Sequence, residues 1–199
     1  MKLTLFALTF LISSFAFSQE KIVWSDSYKV SFNDFQSRES EVNSDLSSYT
    51  LHSGSIIEVD LTMSNFEFMV KKDFNNRVKS ILDQRLALLA APDTLTAKKL
   101  VALAQYDFDL SELYARKIRK EFYEKKGTFS DVKLFQDIYE KYNRELVEKI
   151  SIIFKATSTE ENDVFLQNEH TKVLEEISRL SDFCFDCKVP KKKKNRKKG

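Results

Sequence analysis

The sequence predicts an α+β fold, a small N-terminal antiparallel sheet packed with three long helices. Three observations carry that reading. Only three glycines and two prolines occur in 199 residues, too few for a turn-rich sandwich. Charged residues make up 31% of the chain, and beyond residue 93 apolar positions recur among them at the period of amphipathic helices. Before about residue 74, apolar residues recur at every second position, the period of half-buried strands.

The first residues, MKLTLFALTFLISSFAFSQ, read as an export leader. Lys2 gives a basic start, Leu3 to Phe17 an acid-free apolar run, and Ala16 and Ser18 the small residues before a cut. Cleavage is expected near Ser18, leaving residues 19–187 as one domain and 188–199 as a basic tail. The leader is too short for a comfortable transmembrane helix, which takes about 20 residues. No cysteine follows the cut, which argues against a lipid anchor, and no later run is apolar enough to span a bilayer. The mature protein is expected in the periplasm or outside the cell.

Within the domain, Tyr28-Val30-Phe32, Ile57-Val59-Leu61-Met63 and Phe66-Phe68-Val70 alternate as strands do. Together they place a sheet over about residues 21 to 74. Ser53-Gly54-Ser55 suits a turn, and the polar stretch from Asn33 to Asp45 an exposed loop. Asp93 or Thr94 then caps the first long helix. Ala97, Val101, Ala104, Phe108, Ser111, Ala115, Ile118 and Phe122 share one of its faces. The neighbouring row is Leu100, Leu103, Asp107, Leu110 and Tyr114, so Asp107 interrupts an apolar stripe. A carboxylate there is expected to pair with a lysine or arginine. Asp109, Glu112 and Arg116 lie on adjacent turns, and Glu112 with Arg116 suits an ordinary helix ion pair of a few tenths of a kcal/mol.

Gly127 closes that helix and Ser130 caps the next, whose buried stripe is Phe135, Tyr139, Tyr142, Leu146, Ile150 and Ile153. A third helix starts near Thr159 and aligns Leu166, His170, Val173, Ile177 and Leu180. The short links favour antiparallel neighbours. His52 and His170, the only histidines, stand apart from other ligands and suit packing or rim positions.

Cys184 and Cys187 form C-F-D-C. A short-loop disulfide suits an oxidising compartment; free thiols, or a redox or metal role, are the alternatives. The net charge of +2 conceals a split. The tail holds eight of the 32 basic residues and the leader one, leaving 23 against all 30 acids in the body. Lys191, Lys192, Lys193, Lys194, Arg196, Lys197 and Lys198 could bind an anionic surface or polyanion, or simply be solvated. No aromatics interleave with them, so there is no specific nucleic-acid signal. No catalytic serine–histidine–aspartate set or glycine-rich phosphate loop is visible.

The run FDLSELYARK from Phe108 to Lys117 resembles the metal-binding helix of a secreted bacterial family regarded as zinc-dependent peptidases, whose helix reads roughly H-E-Q-G-H-F-D-I-x-E-x-Y-A-R-K. Upstream, Tyr28 to Phe35 is similar to the family's L-x-W-x-D-F segment and Ser48 to Gly54 to its A-x-T-x-x-G segment. Downstream, Phe154, Glu160, Gln167 and His170 align with its Y-D-x-E-T-x-H, Q and W. In an HExxH helix, two histidines one turn apart aim at one zinc ion and the glutamate polarises its water. Here Leu103 and Asp107 stand at the histidines, Ala104 at the glutamate and Glu160 at the third ligand. Leucine has no lone pair for a metal, and alanine cannot take a proton.

The resemblance therefore implies a zincin-like helix without its metal ligands. The expected protein is a pseudoenzyme needing no metal or other cofactor, an exported binding or structural protein of the envelope. Its partner would be a peptide, an envelope protein or an anionic surface met by the tail. The alternative is a hydrolase with relocated chemistry, using Asp107 and Glu160 with another metal.

Overall fold

The computed structural model describes residues 21–71, 73–127, 130, 132–157 and 163–189. It is α+β. Six short strands, β1 (Lys21–Val23), β2 (Glu41–Val42), β3 (Thr50–His52), β4 (Ser55–Val59), β5 (Val78–Asp83) and β6 (Leu88–Ala91), precede the long helices. The helices are α1 (Asn65–Val70), α2 (Thr94–Lys125), α3 (Val132–Thr157) and α4 (Asp163–Arg179).

The strands make two three-stranded sheets rather than one, in the orders β1-β5-β4 and β2-β6-β3. The first is antiparallel throughout, with Ser55 opposite Leu82 and Ile57 opposite Ser80. The second pairs β2 parallel and β3 antiparallel to β6. Both central strands lie beyond the expected limit near residue 74. In VKSILD every residue but Lys79 is buried, the polar Ser80 and Asp83 included, and LLAA is apolar throughout, so neither shows the apolar–polar alternation of a half-buried strand.

Two alternating segments are not strands. Asn65 to Val70 is helical because Ser64 caps it, its hydroxyl accepting from Glu67 N at 3.1 Å. Phe68 is buried there while Phe66 is 73% exposed. The stretch through Tyr28 and Val30 is irregular and runs into a 3-10 turn at Phe32–Asp34. Asp34 organises that turn, accepting from Tyr28 Oη at 2.6 Å and from Ser31 N at 2.7 Å. The expected exposed loop from Asn33 thus holds two buried residues, Asp34 and Phe35, and contains β2.

Gly54 forms the corner between β3 and β4 with φ of 76°, and a Cβ there would lie 2.5 Å from Asp83 O. No other residue fits without displacing backbone. The corner lets one extended segment serve both sheets.

The 32-residue α2 is the axis of the domain, capped by Asp93, which accepts from Thr96 N at 2.8 Å. The sheets cover one side of it, while α3 and α4 cover the other. Its small-residue face holds Ala97, Ala104, Ser111 and Ala115, all buried, which is what permits that close covering. Of the expected stripe of α3, Phe135, Leu146 and Ile153 are buried and Tyr139, Tyr142 and Ile150 partly so, while Ile138 is buried besides. Ser130 instead accepts from Gly127 N at 2.9 Å. α4 begins at Asp163 and buries Val173 and Ile177.

Candidate functional site

The positions that the resemblance assigns to metal chemistry part company on α2. Ala104 is wholly buried in a core with Leu82, Leu89 and Phe108. Leu103 is 6% exposed and lines a cleft of about 740 Å³. Ser48 and Tyr49, ahead of β3, form one wall of this cleft. Leu95 and Leu100 of α2, Thr157 at the end of α3, and Leu166 and Gln167 of α4 continue it, with Lys98 and Lys99 also contributing. It is therefore a largely apolar trough with charge at its margin.

Asp107, one turn beyond Leu103, is not on the cleft wall. It is 7% exposed and takes a short hydrogen bond from the Ser53 hydroxyl. The expected lysine or arginine partner is replaced by that serine. Its other oxygen, Oδ1, has no partner among the described residues. Burial pushes its pKa up to about 6, the Ser53 bond pulling the other way. Glu160 falls outside the described residues, as do the leader and tail residues Lys191 to Lys194 and Arg196 to Lys198. Among the described residues, no three His, Cys, Asp or Glu side chains are gathered as metal ligands.

Asp109 belongs to a separate cluster. It is 3% exposed and accepts from Trp24 Nε1 at 2.7 Å and Gln105 Nε2 at 2.9 Å. His170 Nε2 on α4 lies 2.7 Å from its Oδ2. Gln105 also accepts from Val30 N at 2.7 Å. One carboxylate therefore joins the N-terminal segment, α2 and α4. The expectation that His170 stands apart from other ligands gives way to this contact with Asp109, and its ring is also set edge-on to Tyr106 at 6.0 Å. His52, on β3, accepts from Gly54 N through Nδ1 at 3.2 Å and steadies the corner.

The ion pair expected at Glu112 and Arg116 is buried, and Arg119 joins it. Glu112 Oε1 lies 2.8 Å from Arg116 Nε and 2.9 Å from Arg119 Nη1. Their side chains are 2%, 7% and 0% exposed, respectively. Two guanidiniums against one carboxylate leave an excess positive charge, which backbone carbonyls accommodate. Arg116 donates to Ile177 O at 2.8 Å, and Arg119 to Val78 O at 2.8 Å and Phe183 O at 2.7 Å. Ile177 lies in the last turn of α4, where the helix dipole is negative. Spacing alone gave the first pair; Arg119, seven residues from Glu112, falls outside the one-turn rule that finds such pairs. The E-x-Y-A-R-K-I-R run is thus a fastening for the α4 end.

Cys184 and Cys187 are joined as a disulfide. Asn75 donates to Asp182 O at 3.1 Å and Cys187 O at 2.9 Å, tying that loop to the start of β5. No helix among the described residues is long and apolar enough to cross a membrane. No family model, curated protein or solved structure matches the chain.

Proposed function

We propose that the protein is an exported, non-catalytic binding protein built on a peptidase-like helix, and that the cleft beside Leu103 takes an extended peptide segment of a protein partner. The observation that carries this reading is the split fate of neighbouring positions on α2. The cleft persists, but its wall at Leu103 is aliphatic, while Asp107 is tied to Ser53 and Ala104 belongs to the core. Such a trough offers apolar contact, and Leu103 presents it with no group to polarise a water or hold a metal, while Asp93 and Asp163 also line it. Tyr49 and Leu95, 44% and 67% exposed, extend the apolar surface out of it. The basic tail would add a non-specific attraction to anionic envelope surfaces.

The test uses the full mature chain. Metal analysis is expected to find no stoichiometric zinc, and labelled unfolded casein is expected to bind without being cleaved, with or without chelator. Leu95→Glu, at an exposed lining position, is expected to weaken that binding several-fold. One tightly held zinc per chain, or cleavage abolished by chelation, overturns the reading.

A further inference from the structure

The short helix α1 turns an apolar face outward. Phe66, Met69 and Val70 follow one another at the i, i+3, i+4 spacing of a single helical face. All three are exposed, Phe66 and Val70 by more than half. Phe68, on the opposite face, is buried against Phe74 and Phe122, with ring centres 5.6 and 5.9 Å away. That aromatic anchor and the Ser64 cap hold the outward face in place. Single exposed apolar side chains are ordinary, whereas three gathered on one face make a contact surface.

Cations border this face. Lys126 donates to Met69 O at 3.3 Å, and its Nζ lies 5.1 and 5.5 Å from the Phe68 and Phe74 ring centres. Lys71 lies 3.9 Å from Glu67, and Arg77 meets both Glu67 and Asp60. Near α1, Lys71, Arg77 and Lys126 thus balance Asp60, Glu67 and Asp73, so any excess of positive charge has to come from the tail. The tail starts close by. Asn75, five residues after Val70, donates to Cys187 O at 2.9 Å. Five peptide steps put its Cα at most about 19 Å from that of Val70. The eight basic residues of 188–199 begin at the residue after Cys187. The ten residues beyond Val189 can span up to about 35 Å, a reach longer than that separation. A small apolar wedge or a polybasic segment alone gives weak, reversible membrane binding, and the two together hold.

We infer that the outward face of α1 is a membrane-contact surface, which inserts Phe66, Met69 and Val70 into the interface of an anionic phospholipid bilayer while the basic tail engages the headgroups. The inference shares the tail's attraction with the proposed function and is independent of the cleft.

Flotation of the full mature chain with vesicles tests it, using phosphatidylglycerol mixed with phosphatidylcholine, and phosphatidylcholine alone. Binding to the anionic vesicles is expected, with a loss of about tenfold or more when the anionic lipid is omitted. Phe66→Glu is expected to weaken that binding by about tenfold, with an unchanged circular dichroism spectrum and unchanged casein binding at the cleft. Phe66→Trp is expected to gain emission that shifts to the blue on binding and is quenched by brominated lipid, over the Trp24 signal of the parent. Undiminished anionic-vesicle binding in Phe66→Glu overturns the surface and assigns the attraction to the tail alone. Absence of vesicle binding also overturns it, and a dimer that Phe66→Glu dissociates would then assign the face to a second copy of the chain.

Discussion

Arg119, in the C-terminal part of α2, donates to the carbonyl of Phe183 at 2.7 Å, so the turn after α4 is fastened to a fully buried basic side chain. The same guanidinium holds Glu112 and Val78 O. Removing it leaves Glu112 with Arg116 alone and orphans two buried carbonyls. Arg119→Met is expected to destabilise the fold by about 3–5 kcal/mol, measured by urea unfolding. A loss below about 1 kcal/mol would show that water readily replaces it.

Asp107 sets a pH dependence whose sign follows from burial. Its pKa rises from 3.8 unfolded to about 6 folded. The folded state therefore binds the proton more tightly, and the resulting stabilisation is full below the unfolded value. It is lost as pH rises through about 6, for a total of at most about 3 kcal/mol. Asp107→Asn removes this loss. The variant is expected to match the parent near pH 4 and to exceed it in stability above pH 6. A constant difference at every pH would assign the effect to packing instead.

The Asp109 cluster is open to dissection because Trp24 is the only tryptophan. Trp24 donates to Asp109 and lies over Arg116, whose Cζ is 5.3 Å from the ring centre. Trp24→Phe keeps the ring and drops the donor, with an expected cost of about 1–3 kcal/mol. Far-UV circular dichroism can follow it without tryptophan emission. A double-mutant cycle with His170→Ala is expected to show coupling, since both side chains meet one carboxylate; simple additivity would separate them.

The disulfide loop has two fastenings of comparable size. Closing so short a ring contributes about 2 kcal/mol in the chain-entropy view, and Asn75 adds two hydrogen bonds to its backbone. Replacing both Cys184 and Cys187 by serine is expected to lower stability by about 1–2 kcal/mol. Asn75→Ala is expected to cost about 1–3 kcal/mol. If serine replacement alone unfolds the domain, the ring matters more than the hydrogen bonds.

The helices were legible because each buries a face repeating at helical spacing: Ala97 through Phe122 on α2, Phe135 through Ile153 on α3, Leu166 through Leu180 on α4. Asp93 also announced its cap. The sheet was legible only at its edge. Ile57 and Val59 alternate in β4, whereas the central β5 buries the polar Ser80 and Asp83 among its apolar residues and β6 is apolar throughout, so neither carries an alternation to detect. Phe66 to Val70 alternates and is still helical, because the Ser64 cap outweighs a period of two over so short a run. At the site, periodicity placed Asp107 on a buried row, but its Ser53 partner is 54 residues distant. The same holds for Trp24 with Asp109 and Arg119 with Phe183, contacts that local spacing cannot report.

The bonds radiating from α2 have a consequence for the order of folding. Within about three helical turns, this one helix reaches Trp24 near the start of the described chain and Phe183 near its end. A growing chain that has made α2 but not yet α4 carries Glu112, Arg116 and Arg119 with part of their carbonyl partners still unsynthesised. Ordering those side chains early would leave charge unsatisfied, and closing such long loops costs entropy before any contact repays it. The full set of partners for Arg116 and Arg119 thus exists only once the last helix has been made.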